Sequence, residues 1–566
     1  MIKNGKPLVN SMNRKTRWKE YFQELYNPTI TTEYRPTNAQ KDIETTEPNI
    51  LNQEIEEALK HSPSNKSPGE DGIPSEAIKA CRNTAVQWLA RLFTIAWSER
   101  KVPDDWQKSV IVPLWKNKGS KRECESYRGI SLLSHTGKIY AKIIEQRMRY
   151  IAEPQLSPSQ FGFRRRASCT DALFTLRQLS EKAIEYNQDL NTVFVDQEKA
   201  FDRVDRNILW ETLEIYIRGQ LLDNIKAIYQ KCQSSVRTTD GMTEPFETRS
   251  GVRQGCVLSP LLFNIYMDRI IKEAHINKEK NIANKPDEEL NNEINELLFA
   301  DDQSLIYKDE ETLQKHINAL LLACQKYNMK INVQKTEVMK ISKSATPMDI
   351  TIDNTKVKQA KEFKYLGSIF SEDGRLDREI ETRCQKANTV TYQLSPLLLH
   401  PKIKMEIKKQ IISTIFIPTL CYQCQTWSLT ASQQRKIVTC EMKCLRKAAM
   451  VTKLDKIRNE EIRKRVGIIS CIEYIERQQV KWFGHLMRMK PNQIPIRAYN
   501  KRISGHKAKG RPRKRWIENI KIALNKHGLN ATTATHLALE RQLKLPPLRL
   551  TASVNAINHH SPGNRQ

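Results

Sequence analysis

The sequence predicts an α+β chain of more than one domain, and three observations carry that prediction. Its 566 residues exceed what one core holds at roughly 150 residues per domain. Short β-branched runs at 109–114 (SVIVPL) and 192–195 (TVFV) stand between stretches, 85–97 and 139–148, whose apolar residues recur at three-to-four spacing. This mixed pattern ends near 370, and 375–490 reads as mostly helical. Hydrophobic residues make up 39% and charged residues 28%, polar for a globular chain but enough apolar surface to build cores.

Taken in chain order, Trp18, Tyr21, Phe22 and Tyr26 lie at helical spacing, so 1–50 reads as one helix and a linker. A helix with an Asx cap and early acids starts at Asn52, and SPGEDG at 67–72 is a turn. The tail changes character. Between 497 and 526 there are eleven Lys/Arg and one acid, Glu518, centred on KAKGRPRKRW at 507–516. Lys509, Arg511, Arg513, Lys514 and Arg515 form its densest part, and 491–566 is expected to be a partly disordered basic tail, suited to phosphate contact or nuclear import. Beyond 530 no pattern emerges.

Lys+Arg number 93 against 64 Asp+Glu, a formal charge of +29, which calls for a polyanionic partner, nucleic acid or an acidic membrane surface. No run approaches about 18 apolar residues and the start has no signal-peptide stretch, so no membrane partner is expected and the chain is read as intracellular, nucleus or cytoplasm. The twelve cysteines then read as free thiols. Cys421, Cys424, Cys440 and Cys444 have a C-x2-C…C-x3-C spacing open to zinc, although buried thiols are the simpler reading.

Chemistry concentrates in two carboxylate sites. In VFVDQEKAFD (193–202) an apolar strand ends in Asp196, and a carboxylate at a buried strand end is expensive unless paired, hydrogen-bonded or metal-bound. In LLFADDQSLI (297–306) apolar runs flank Asp301 and Asp302, the pattern of a β-hairpin with its acids at the tip. Adjacent acids repel, so a turn that joins them calls for cations. Three carboxylates in a polyanion-binding chain point to two Mg²⁺ ions, with Mn²⁺ as a substitute, about 3.5–4 Å apart.

At these residues the chain resembles the reverse transcriptases of non-LTR (LINE-type) retrotransposons. The likeness rests on nine ordered blocks: SPGEDGIP (67–74), WQKSVIVPLWKNKG (106–119), YRGISLL (127–133), QFGFRRRASCTDAL (160–173), FVDQEKAFDRV (194–204), GVRQGCVLSPLLFNIYMD (251–268), LLFADD (297–302), INVQKTEVM (331–339) and FKYLGSIF (363–370). It implies a right-hand polymerase with an antiparallel palm sheet: N-terminal helix and linker 1–50, fingers 51–190, palm 191–370, helical thumb and helical region 371–490, basic region 491–566. The implied reaction is RNA-templated extension of a DNA primer with dNTPs.

The resemblance also implies roles. Asp196, Asp301 and Asp302 would bind the catalytic metals, and Lys335 would protonate the leaving pyrophosphate. Phe201 would exclude a 2′-OH, Gln254 would contact the incoming nucleotide, and Arg128 with Lys116 or Lys118 would meet its triphosphate. Gly251 and Gly255 would let backbone approach the template or base pair. Arg164 and Arg165, in a triple with Arg166, would touch template phosphates, and Tyr365, Leu366 and Gly367 would lie in a primer-grip hairpin. Two positions depart from the family's pattern: Gln197 and Gln303 follow the metal-binding acids where small, apolar or aromatic residues are usual. Only about 50 residues precede the first block, with no constellation for a nicking enzyme, so an endonuclease is expected in trans. The rival reading is a catalytically silent nucleic-acid-binding remnant.

Overall fold

The computed structural model describes residues 2–3, 6–8, 10–28, 47–280, 293–344, 346–503, 505–507, 510 and 512–543. The chain forms two units, Met1–Gly374 with Arg502–Ala508, and Arg375–Lys501 with Lys509–Gln566. Of the basic-run residues named above, Lys509 and Arg511 lie outside the described residues, as does the linker at 29–46.

In the first unit the strands used below are, in chain order, β1 (Lys108–Trp115), β2 (Tyr127–Leu132), β3 (Leu190–Val195), β4 (Gln233–Thr238), β5 (Gly241–Met242), β6 (Phe246–Glu247), β7 (Glu296–Phe299), β8 (Asp302–Tyr307), β9 (Glu337–Ile341), β10 (Lys358–Gln359), β11 (Glu362–Tyr365) and β12 (Ser368–Ser371). The helices are α1 (Ser11–Tyr26), α2 (His135–Ala152), α3 (Cys169–Glu185), α4 (Ala200–Arg203), α5 (Ser259–Lys280) and α6 (Glu310–Lys326).

One five-stranded sheet has the order β10-β9-β3-β8-β7, antiparallel except for the short parallel β9–β10 pairing. Its central strand β3 is buried at every residue, which explains why LNTVFV lacks the alternation of a half-wet strand. Helix α6 packs on β3 and β8, and α3 on β3, β7 and β9. The second sheet runs β2-β1-β4-β5, with β6 also paired to β4.

Helix α1 belongs to this unit's core. The Asn10 side chain caps it by accepting from the Met12 amide, and Trp18, Tyr21, Phe22 and Tyr26 form one buried face against Ile111, Val236 and Phe246.

The second unit is helical, with α7 (Asp377–Gln393), α8 (Ala431–Ala448), α9 (Cys471–Met487), α10 (Trp516–Asn525) and α11 (Ala531–Leu539) as its main members. Its core holds Phe416, Leu420, Trp427, Ile437 and Leu445. The four cysteines at zinc-like spacing are buried free thiols held by hydrogen bonds: Cys421 with Cys424 and Cys471, Cys440 with Cys384, and Cys444 with Thr391.

Part of the region expected to be a partly disordered basic tail is folded among the described residues. Trp516 is fully buried, its indole N–H donating to the Gln425 carbonyl at 2.8 Å and its ring edge-on to Tyr499. Helices α10 and α11 both pack on α9, although nothing in the sequence beyond 530 announced the second of them. The single tryptophan inside a cationic run was the residue whose burial outweighs the solvation of its neighbours.

Candidate active site

Strand β3 delivers Asp196 from a dry interior to an edge. Antiparallel pairing sets Gln303 opposite Val195, so one further step along both strands brings Asp302 opposite Asp196. On its other side β8 pairs with β7, Asp302 facing Phe299 across the two-residue loop Ala300–Asp301. Ala300 adopts a left-handed φ of 58°, a conformation that costs a residue with a Cβ roughly 1 kcal/mol or more and makes the tight turn that places both acids at the tip.

Six hydrogen bonds fix this geometry. The Gln160 side-chain oxygen accepts from the Ala300 amide at 3.0 Å and from the Gly162 amide at 2.8 Å, tying loop 159–162 to the tip. That loop runs beside β7, with the Phe161 amide bonded to Leu298 carbonyl at 2.8 Å and the Leu298 amide to Ser159 carbonyl at 2.9 Å. Gly162 is required there, because a Cβ would sit 2.4 Å from the Ala300 nitrogen. Asp196 is held through its own backbone: its amide donates to the Thr336 hydroxyl at 3.2 Å, and its carbonyl accepts from the Asn332 amide at 2.8 Å.

The acids are electrostatically strained. Burial, then repulsion by Asp301 and Asp196, raises the Asp302 carboxyl to about 6, with Arg128 opposing. Burial also raises Asp301, and Asp196 adds to the rise. Negative charge at this tip is thus under-compensated by the protein, and an all-oxygen carboxylate set of this kind fits a hard divalent cation. Lys335 lies on the flank, its Nζ 3.6 Å from Asp196 Oδ2.

Next to the acids is a cationic and aromatic wall. Lys116 donates to the Glu125 carbonyl at 2.8 Å, and its ammonium is depressed by burial and then by Arg128, Lys335 and Lys199, which marks these four as one positive cluster. Lys118 stands instead on the exposed turn after β1. Phe201, on α4, stacks on Phe263 at 4.2 Å and 13° and meets Phe163 edge-on at 6.3 Å, so its ring is braced on two sides. The Gln254 amide donates to Asp202 Oδ1 at 3.1 Å, and its carbonyl accepts from the Ser131 amide at 2.7 Å. Asp202 is itself buried, raised to about 6 chiefly by desolvation, and receives the Tyr26 hydroxyl of α1.

Several expected contacts prove to be internal ones. Gly255 and Gly251 are needed where chain meets chain: a Cβ on Gly255 would lie 2.4 Å from Ser131 O, and one on Gly251 2.9 Å from Asp202 O. Arg164 turns inward and donates to the carbonyls of Ser157 (2.6 Å), Glu153 and Gln160, leaving Arg165 and Arg166 exposed. Tyr365 is buried, its hydroxyl donating to the Leu297 carbonyl at 3.4 Å and its ring tilted against Phe194, while Leu366 and Gly367 form the half-buried turn beyond it. In the second unit Lys514 is half-buried and donates to the Leu429 carbonyl, Arg515 pairs with Glu518 at 3.0 Å, and Arg513 is exposed. These side chains were expected on nucleic acid because positive charge and motif position do not report which way a residue faces.

Sequence reasoning missed Gln160, Thr336, Asn332, Asp202 and Tyr26. Gln160, Asp202, Asn332 and Thr336 all sit inside quoted blocks, and an uncharged amide leading an apolar loop was a signal for the first. Tyr26 had none, since its partner is far away in sequence.

Carboxylates joined at adjacent strand ends, a braced aromatic ring and a four-cation cluster make a site suited to a divalent cation and an anionic ligand. Residues 116–370 match the family described as reverse transcriptase (RNA-dependent DNA polymerase). Among its relatives is the probable RNA-directed DNA polymerase from transposon BS of Drosophila melanogaster, 25% identical over 454 residues, 77% of this chain and 48% of that one. The transposon TX1 uncharacterized 149 kDa protein of Xenopus laevis is 30% identical over 274 residues, 47% of this chain and 21% of that one. The RNA-directed DNA polymerase from mobile element jockey of D. melanogaster is 24% identical over 408 residues, 70% and 43% of the two chains. The chain thus spans about half, or less, of the length of the relatives it matches. Enzymes of this family work with divalent metal ions. Among the described residues no helix is long and apolar enough to cross a membrane.

Proposed function

We propose that the chain is an RNA-directed DNA polymerase of the non-LTR retrotransposon kind, extending a DNA primer 3′-OH with dNTPs on an RNA template. The observation that carries this is the convergence of Asp196 with Asp301 and Asp302 on neighbouring strand ends, two of them with raised carboxyls beside a positive cluster. In this reading 51–190 act as fingers, 191–370 as palm, and 371–490 as thumb and adjoining helical region.

Asp196, Asp301 and Asp302 would hold two Mg²⁺ ions, or Mn²⁺ in their place. Such ions supply Lewis acidity for the attacking hydroxyl and charge neutralisation for pyrophosphate. The chain's own groups do the rest. Arg128, with Lys116 rather than Lys118, takes the triphosphate, because Lys116 shares the cluster and Lys118 does not. Lys335 gives its ammonium proton to the leaving pyrophosphate. Phe201, unable to retreat against Phe263, leaves no room for a ribose 2′-OH. Gln254, its amide oriented by Asp202, lines the nucleotide site. Arg165 and Arg166 make salt-sensitive template contacts, Leu366 and Gly367 support the primer end, and Arg513 contributes charge from the second unit. An endonuclease supplied in trans would provide the nick.

The test is primer extension by purified protein with Mg²⁺, dNTPs and a primed RNA template. Extension is expected, with at least about 10³-fold loss in Asp301→Ala and Asp302→Ala, the order of effect of removing a principal electrostatic element. No extension by the parent, with retained salt-dependent RNA binding, would favour the silent remnant instead.

A further inference from the structure

Glu296 opens β7, five residues before Asp301 and roughly 16 Å from it along the chain. It is 7% exposed, and its Oε1 accepts from the Ser159 hydroxyl at 2.8 Å and faces His275 Nε2 of α5 at 3.2 Å. Its second oxygen, Oε2, is buried with no hydrogen-bond partner among the described residues. His316 of α6, fully buried, completes the group. Its Nδ1 is engaged by the Tyr307 hydroxyl at 2.8 Å, which leaves Nε2 as its remaining ring nitrogen. One ligand atom from each of His275, Glu296 and His316 can be chosen so that all lie within 4.8 Å of one another.

We infer that His275, Glu296 and His316 form a zinc site, separate from the catalytic acids, that fastens the root of the acid-bearing hairpin to helices α5 and α6. Two imidazoles and one carboxylate are a borderline-soft donor set that selects zinc over magnesium. Tetrahedral zinc with bonds of about 2.0–2.1 Å sets ligand atoms about 3.4 Å apart, inside the 4.8 Å span that holds one ligand atom from each of the three residues. The Tyr307 hydroxyl on His316 and the Ser159 hydroxyl on Glu296 are the outer partners that orient zinc ligands. An unpartnered buried carboxylate oxygen costs roughly 1–3 kcal/mol or more, and a cation removes that cost. His275, 37% exposed at its side chain, gives an entry path and room for water as a fourth ligand.

The rival is a metal-free His–Glu ion pair. Untagged protein is loaded with zinc, dialysed against metal-free buffer and assayed for bound metal; about one zinc per chain is expected. Bound zinc falls about tenfold or more in His275→Gln, a partly exposed position where folding should survive. Cobalt loading of the parent should give the visible bands of a four-coordinate ion, and zinc should raise the melting midpoint of the parent but not of His275→Gln. A parent without zinc, without cobalt bands and without a thermal shift overturns the inference. So does zinc retained undiminished in both His275→Gln and Glu296→Gln, which would move the metal to the thiols of the second unit.

Discussion

Two hairpins of the first unit are fastened by different mixtures of contacts. The tip of β7–β8 is gripped by directional hydrogen bonds, one Gln160 oxygen serving two amides. The β11–β12 hairpin forms its own two-stranded sheet and adds rings to its directional bonds, Phe363 lying on Phe194 at 4.0 Å and 7° and Tyr365 tilted against the same ring, while Arg177 donates to the Ser368 hydroxyl at 2.9 Å and the Ile369 carbonyl at 3.1 Å. Both turns carry positive φ, at Ala300 in the first and at Leu366 and Gly367 in the second. Acids that act on a reacting phosphate need placement to a fraction of an ångström, which directional bonds supply. Under the proposed function, the second hairpin would support a duplex end that moves, and stacked rings tolerate small shifts.

The largest test of this contrast is Gln160→Ala. It leaves two buried amides without an acceptor and frees the acid-bearing tip. Extension should fall about 10²-fold with nucleic-acid binding kept, while Gln160→Glu, which retains an oxygen acceptor, should recover most of the rate. If Gln160→Ala extends like the parent, the tip holds itself.

The loop carrying Gln254 is held by a third means, a buried acid, and this predicts a pH dependence. Asp202 stands at about 6 when folded against an ordinary 3.8, so its ionised form is disfavoured by folding; the penalty is full above pH 6 and vanishes as pH falls below about 4. Asp202→Asn should therefore be more stable than the parent at pH 7.5 by up to about 3 kcal/mol, with the gap closing toward pH 4. Urea midpoints across that range measure it, and a gap independent of pH would contradict the assignment.

Phe363→Ala should cost about 1–2 kcal/mol of stability and raise KM for primer several-fold with little change in kcat, the signature of loosened support rather than displaced acids. A fall in kcat matching that of Gln160→Ala would erase the distinction between the hairpins.

The smallest effect lies behind the tip. Gln303 is 1% exposed, and neither its side-chain oxygen nor its nitrogen has a hydrogen-bond partner among the described residues; the Gln197 oxygen is likewise buried and unpartnered. Gln303→Leu should raise stability by about 1 kcal/mol, read as a higher melting midpoint. These are the two positions noted above as departing from the pattern the sequence resembles, and the departure leaves polar groups stranded in the core rather than moving an acid.

The mixed-then-helical division and the three acids were legible because they are written locally, in β-branched runs and in paired carboxylates on apolar flanks. What sequence could not report was direction. Tyr365, Arg164 and Lys514 sit in blocks or runs that promise nucleic acid, yet each turns to a backbone carbonyl of its own chain. The groups that hold the site, Gln160, Asp202 and Tyr26, act over separations that no periodicity encodes. The zinc inference has the same cause: His275, Glu296 and His316 come from two helices and a strand, with no motif spacing to announce them.

The buried Trp516 changes how the basic run has to be probed. Removing 501–516 would take out charge and, with Trp516, a wall of the helical unit at once, so a lost activity would say nothing about phosphate. Charge reversal at Arg513, which leaves the indole seated, separates electrostatics from architecture. A segment that looks like a tether in composition serves here as masonry.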